Sequence, residues 1–221
     1  MVINYAPSFN LPVYSVKLIF DDNKEFQMIK YDDTWIVELD FTEGSYNYRF
    51  LINNQISIND PLADTYVIDS SDIVWSSFSI DESGNRYTSD SQYTVNIENY
   101  DFISEVSEIA TCKNSFNTHS DKLTALKFEF TDVIGLHTAT LLWIDPNGIL
   151  FDITENNLSN QNPDEKTTIY FCLNYEHQTT RFKPGIWSVV LLIDGQYILE
   201  DKFDLENDYF CTTSVYFEAK I

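Results

Sequence analysis

Alternating apolar and polar residues, cut by short acidic or amide-rich turns, recur along most of this chain. In WIVELDF (35–41), Trp35, Val37, Leu39 and Phe41 fall on one side, with Ile36, Glu38 and Asp40 on the other. A period of two marks a strand with one buried face. Similar runs stand at YSVKLIF (14–20), EFQMIKY (25–31), YNYRFLI (46–52), DIVWSSFSI (72–80) and QYTVNI (92–97). Residues 98–121 interrupt the pattern, being polar and weakly periodic, with one helix-compatible stretch at 101–110. The pattern restarts in LTALKFEFT (123–131), HTATLLWI (137–144), ILFDI (149–153) and TTIYFCLNY (167–175). It ends with IWSVVLLI (186–193), QYILEDKF (196–203) and TSVYFEA (213–219). Asp194-Gly195 between two apolar runs signals a two-residue hairpin, and DPNG (145–148) signals a four-residue turn. The pattern predicts an all-β chain of two immunoglobulin-like β-sandwich domains in tandem, at 1–98 and 122–221. The linker between them, 99–121, holds the helix-compatible stretch.

The two halves share a device. FTEGSYNYRFLINNQ (41–55) and FKPGIWSVVLLIDGQ (182–196) both run aromatic, two residues, Gly, strand, tight turn, Gln. A duplication produces this order, and so do two sandwiches that each need a turn before a hairpin.

Composition supports strands, because 16 Phe and 14 Tyr favour a pleated, half-buried surface. The net charge of −22 is spread evenly over both halves. It repels phosphate backbones and anionic membranes, which argues against nucleic-acid and membrane partners. The acidity keeps the protein soluble, or attracts a basic protein partner. Cys112, Cys172 and Cys211 are widely spaced, without the pairing of a zinc or redox motif. Three cysteines exclude a full disulfide framework, and although one bridge stays open, buried free thiols are the expectation. The start lacks a signal-peptide pattern and the longest apolar run, VVLLI, is far short of a membrane span, so a cytoplasmic location is expected.

One hairpin carries more specific information. FDDN (20–23) stands in a loop after a strand, and WIVELDF in the next apolar strand. EGSYNYRF (43–50) reads acidic-Gly-x-Tyr-x-Tyr-basic-Phe, and NDP (59–61) closes the hairpin. In that order, residues 14–80 resemble the glycogen-binding domain family. These are the early-set immunoglobulin-like modules of AMP-activated kinase β subunits and of glycogen branching and debranching enzymes. The resemblance implies a sandwich that holds α-glucan by stacking sugar rings on aromatic faces, aided by a basic donor and a later polar loop. The basic position falls on Arg49, and the later loop falls near Trp75, Ser76 and Ser77. The family's stacking Trp positions lie just after Asn23, where KEF stands, and at Ile56 to Ile58; neither holds a Trp. Trp75 is the candidate replacement platform, Ser76 and Ser77 the candidate donors, and Tyr48 a further candidate beside Arg49. Trp35, Trp143 and Trp187 sit in apolar strands and are expected in the core.

Catalytic chemistry finds little support. His119, His137 and His177 have no metal-type spacing and read as solvated loop or strand-end residues. Paired carboxylates such as Asp21/Asp22 and Asp32/Asp33 sit in turns. No Gly-rich phosphate loop is present. The expectation is a non-catalytic chain without metal or cofactor, a carbohydrate-associated module resembling glycogen-binding domains. The alternative is a protein-interaction or scaffold module with an acidic surface, whose strand edges could pair two copies into a homodimer.

Overall fold

The structure, a computed structural model, describes residues 1–87, 94–107, 111–160, 162, 165–175 and 182–207. The regular structure in these residues is all β. The first half runs through β1 (Val2–Tyr5), β2 (Val16–Phe20), β3 (Glu25–Gln27), β4 (Ile29–Tyr31) and β5 (Thr34–Glu38). It continues with β6 (Gly44–Ile52), β7 (Ile56–Ile58), β8 (Thr65–Ile68), β9 (Val74–Ile80) and β10 (Arg86–Tyr87). One sheet has the order β1-β5-β4. The other has β10-β9-β6-β2-β3, with β7 beside β6 and β8 beside β9. The run EFQMIKY is therefore two strands: the chain changes sheets at buried Met28, whose N–H donates to the Val16 carbonyl at 2.9 Å.

The second half contains β11 (Thr94–Ile103), β12 (Ser115–Asn117), β13 (Leu123–Ile134), β14 (Leu136–Ile144) and β15 (Leu150–Ser159). It closes with β16 (Thr167–Asn174), β17 (Gly185–Ile193) and β18 (Gln196–Glu206). Its sheets have the orders β11-β13-β16 and β12-β18-β17-β14-β15. The shared device falls in equivalent places: Gly44 opens β6 and Gly185 opens β17. Each strand then ends in a turn with two positive φ angles, at Asn53-Asn54 and at Asp194-Gly195.

Two expectations need correction here. A boundary at 98 puts 92–97 in the first sandwich, yet Thr94–Ile97 begin β11, which pairs with β13 of the second. The helix-compatible stretch at 101–110 starts inside the same strand. Tyr100 stacks on Phe128 with ring centroids 5.4 Å apart, and Phe102 is buried in the second core. That two-residue spacing of aromatics, hidden among polar neighbours, makes 99–103 a strand; residues 108–110 lie outside the described residues. Further along the same segment, β12 pairs parallel with β18. The strand expected at 213–219 also lies outside the described residues.

The middle strands decide the architecture. Ala139, Leu141 and Trp143 of β14, with Val189, Leu191 and Ile193 of β17, enter the core of the second sandwich. The intervening Leu142, Ile144, Val190 and Leu192 enter the first core, beside Ile52, Ile56 and Ile58. Continuous apolar runs suit strands covered on both faces, and LLWI (141–144) and VVLLI (189–193) are such runs. Burying a side chain of this kind is worth about 1.5–3 kcal/mol, so these four contribute on the order of 6–12 kcal/mol as an upper bound. The two sandwiches are thus joined through a shared layer and not merely tethered.

Candidate functional site

The shared layer determines where the family-like residues end up. Along β6, Tyr48, Phe50 and Ile52 are in the first core, so Arg49 points to the opposite face. That face is covered, leaving Arg49 5% exposed. Its two terminal nitrogens donate to the Glu155 carboxylate of β15, Nη1 at 3.1 Å, and Nη2 also donates to the Ser57 carbonyl at 3.0 Å. Its Nε is buried without a partner. Glu155 additionally accepts from the Thr140 hydroxyl at 3.3 Å. The side chain expected to donate to a sugar instead ties β6 to β15.

Tyr48, Ser76 and Ser77 are buried as well. The Tyr48 hydroxyl donates to Asp60 at 2.7 Å, and the Asp60 N–H donates to the Ser76 hydroxyl at 2.7 Å. The Ser76 N–H donates to Asn59 Oδ1 at 3.1 Å, and Asn59 Nδ2 donates to the Thr138 hydroxyl of β14 at 2.8 Å. Burial, with Asp60 alongside, pushes the Tyr48 phenol up, and burial likewise raises the Asp60 carboxyl. The NDP motif therefore anchors a buried polar network that reaches the second sandwich. Trp75 alone of the five candidates stays half-exposed, with its indole N–H donating to Asp69 at 2.9 Å. Ile56 and Ile58, at the family's second stacking position, are buried in the first core. The five candidates do not converge on an open surface, because the second sandwich covers the face that carries Arg49.

His137 is not solvated, as its place at a strand opening suggested; it is 2% exposed. Its Nδ1 lies 2.6 Å from Asp194 Oδ2 and its Nε2 3.0 Å from the Ile134 carbonyl. Both facing atoms are acceptors, so a doubly protonated ring against an ionised Asp194 satisfies the arrangement. Burial lowers the His137 pKa, but the hydrogen bond and charge of Asp194, and the Ile134 and Thr94 carbonyls, outweigh it and raise the pKa. Asp194 Oδ1 accepts the Thr138 N–H at 2.8 Å. Next in the turn, Gly195 (φ +84°) packs so closely on the first sandwich that a Cβ would sit 2.1 Å from the Asn59 carbonyl oxygen. The Asp194-Gly195 tip is thus a clasp between the halves, a role its hairpin signal did not reveal. His119 is exposed, and His177 lies outside the described residues. Cys112 and Cys172 are free, but where burial was expected Cys172 is half-buried and Cys112 is exposed, its segment only bridging the end of β11; Cys211 lies outside the described residues. Among the described residues no three His, Cys, Asp or Glu side chains come together to hold a metal ion.

An open cleft does exist, at one end of the first sandwich. β5 ends at Glu38, so Leu39 to Phe41 leave the sheet and line an opening of about 340 Å³ with Phe20, Phe26 and Tyr46. Phe26 pairs with Leu18, whereas Arg49 pairs with the next residue, Ile19. The cleft therefore opens on the core side, opposite the covered face. Phe41 meets Tyr46 at 4.7 Å and Phe20 meets Phe26 at 5.9 Å, both edge to face. The Tyr46 hydroxyl donates to the Thr42 carbonyl at 2.9 Å, which fixes the ring. At the rim, Lys24 pairs with Asp22 at 2.5 Å, beside Asp40 and Thr42. That pairing raises the ammonium and lowers the carboxyl relative to their ordinary values. Apolar ring faces beside polar donors and acceptors can hold a ligand that has an apolar face and a polar edge. Phe41 was legible in the sequence only as one face of WIVELDF, and Phe26 only as a member of the strand run EFQMIKY.

The strand arrangement defines the class: an all-β protein of immunoglobulin-like sandwich fold. No family model matches the sequence, and no curated protein matches it. Among solved structures, an immunoglobulin-like protein from Pseudomonas aeruginosa aligns at 17% identity and a TM-score of 0.38. That alignment covers 52% of this chain and 98% of the other. The β-glucosidase from Listeria innocua in complex with glucose aligns over 56% of this chain, at 12% identity and a TM-score of 0.34. This chain spans 17% of that enzyme's length. Among the described residues no helix is long and apolar enough to cross a membrane.

Proposed function

We propose that the chain is a non-catalytic, carbohydrate-associated binding module that resembles glycogen-binding domains but holds sugar at a different place. One observation carries the reading: Phe26, Phe41 and Tyr46 form an aromatic cleft rimmed by Lys24, Asp22, Asp40 and Thr42. A pyranose ring has an apolar face for the rings and hydroxyls for the rim. Titration calorimetry with glucose, maltoheptaose, cellohexaose and glycogen tests the reading. The wild-type chain binds at least one of these, and Phe26→Ala weakens that binding about tenfold or more, consistent with one lost aromatic contact. Silence from the wild-type chain across the whole panel sinks it.

A second reading, a protein-interaction module, is favoured by β4. This strand lies at the edge of the small sheet and exposes Ile29 at 71% and Tyr31 at 69%. An open edge can accept a strand from another chain, and the acidic surface suits a basic partner. A pull-down at low and high salt distinguishes the two, since one basic protein released by salt supports the second reading.

A further inference from the structure

We infer that the aromatic cleft is one half of a longer groove, and that the groove takes a linear, neutral oligosaccharide of at least two pyranose units. This rests on the sugar reading above. A second cleft, of about 370 Å³, lies on the other side of Asp40 and Phe41 and shares both residues with the first. Its walls include Ile80, Gly84, Asn85 and Arg86. Phe41 forms the ridge between the two, packed edge-on against Tyr46 at 4.7 Å and against Phe78 at 5.1 Å. Both clefts fall at the lower end of the range, about 300–1,000 Å³, in which small-molecule sites are found. A ligand that fills only one leaves half of a continuous surface unused.

The two halves differ in chemistry. The first is aromatic, and the second is polar at Asn85 and Arg86. Arg86 is held in place: its guanidinium lies over the Phe78 ring at 5.3 Å and its Nε–H donates to Asp64 at 2.5 Å. A planar guanidinium fixed in this way is a preorganised donor for sugar hydroxyls. The charge balance selects a neutral ligand. Lys24 already faces Asp22 and Arg86 already faces Asp64, so neither cation needs an anionic group from a ligand. Asp40 stands between the clefts, and the net charge of −22 repels polyanions at longer range.

The test compares chain lengths. Titration calorimetry is run with glucose and with the di-, tetra- and hexasaccharides of the α-1,4-, β-1,4- and β-1,3-linked series. In the series that binds, the tetrasaccharide binds wild type at least tenfold more tightly than glucose. Phe26→Ala weakens every length. Arg86→Ala, at a partly exposed position on an edge strand, removes the gain from length. Asn85→Ala shows a smaller loss of the same kind, and each variant's thermal midpoint verifies that it is folded. If affinity does not depend on length and Arg86→Ala and Asn85→Ala are both neutral, while Phe26→Ala still weakens binding, the groove is refuted and the sugar site stands. If wild type binds no sugar of any length, both readings fall together.

Discussion

Replacing His137 with Ala removes one member of an ion pair that is almost fully buried, with side-chain exposures of 3% for His137 and 10% for Asp194. Asp194 keeps the Thr138 N–H at 2.8 Å but loses the imidazolium, while the Ile134 carbonyl loses its ring donor at 3.0 Å. Breaking a buried pair from one side costs about 3–5 kcal/mol, because the remaining charge is left uncompensated. For a chain of this size each kcal/mol moves the thermal midpoint by about 2–4 °C, so the drop is roughly 6–20 °C. The effect depends on pH in a defined direction. The folded-state pKa of His137 is raised above its ordinary value. The pair's contribution is therefore complete below the unfolded pKa of about 6.5, and it is lost as pH rises through the folded pKa. Above that point the neutral ring has a single N–H for the acceptors around it. Differential scanning calorimetry of wild type and His137→Ala at pH 6 and pH 9 checks this, with the gap largest at pH 6. Nitrogen NMR of the imidazole adds an independent readout, with both ring nitrogens protonated at pH 6. Equal midpoints at pH 6, or a gap that widens toward pH 9, would refute the buried imidazolium.

Three further predictions follow from the shared layer. Arg49→Ala leaves the Glu155 carboxylate at the seam without its cation, keeping the Thr140 hydroxyl, and costs about 3 kcal/mol in urea unfolding. The double variant Arg49→Met/Glu155→Leu recovers most of that loss, and a neutral single variant would remove the pair from the account. Gly195→Ala adds the left-handed backbone cost of about 1–2 kcal/mol to a collision with the Asn59 carbonyl. It should lower stability by more than 2 kcal/mol on the same assay, and a loss below 1 kcal/mol would mean the tip does not dock as described. Because Leu142, Ile144, Val190 and Leu192 sit in the first core, the chain should unfold in one calorimetric transition; two resolved transitions would show that the sandwiches are independent.

The features legible in the sequence are those set by neighbouring residues. Alternation in WIVELDF and YNYRFLI marks strands because successive side chains point to opposite faces, whatever lies on either side. Asp194-Gly195 marks a hairpin because two positive φ angles are needed there and these residues tolerate them. Trp35, Trp143 and Trp187 could be placed in the core from their apolar surroundings, and the structure buries all three.

Other features depended on contacts between distant parts of the chain. Arg49 and Glu155 are 106 residues apart, and nothing in either neighbourhood announces the other. Read locally, Arg49 is a basic donor on an open sheet face; with β15 over it, it is an internal strut. His137 looked solvated at a strand opening until Asp194, 57 residues later, closed over it. Tyr100 and Phe102 carried a two-residue period too short to stand out among polar neighbours, and β13 was needed to make them a strand. Phe41 showed the opposite case: its pattern predicted a core face, and only the end of β5 at Glu38 turned it toward an opening. Alternation specifies which side of a strand a residue lies on, but what covers that side is chosen by packing between elements far apart in the chain.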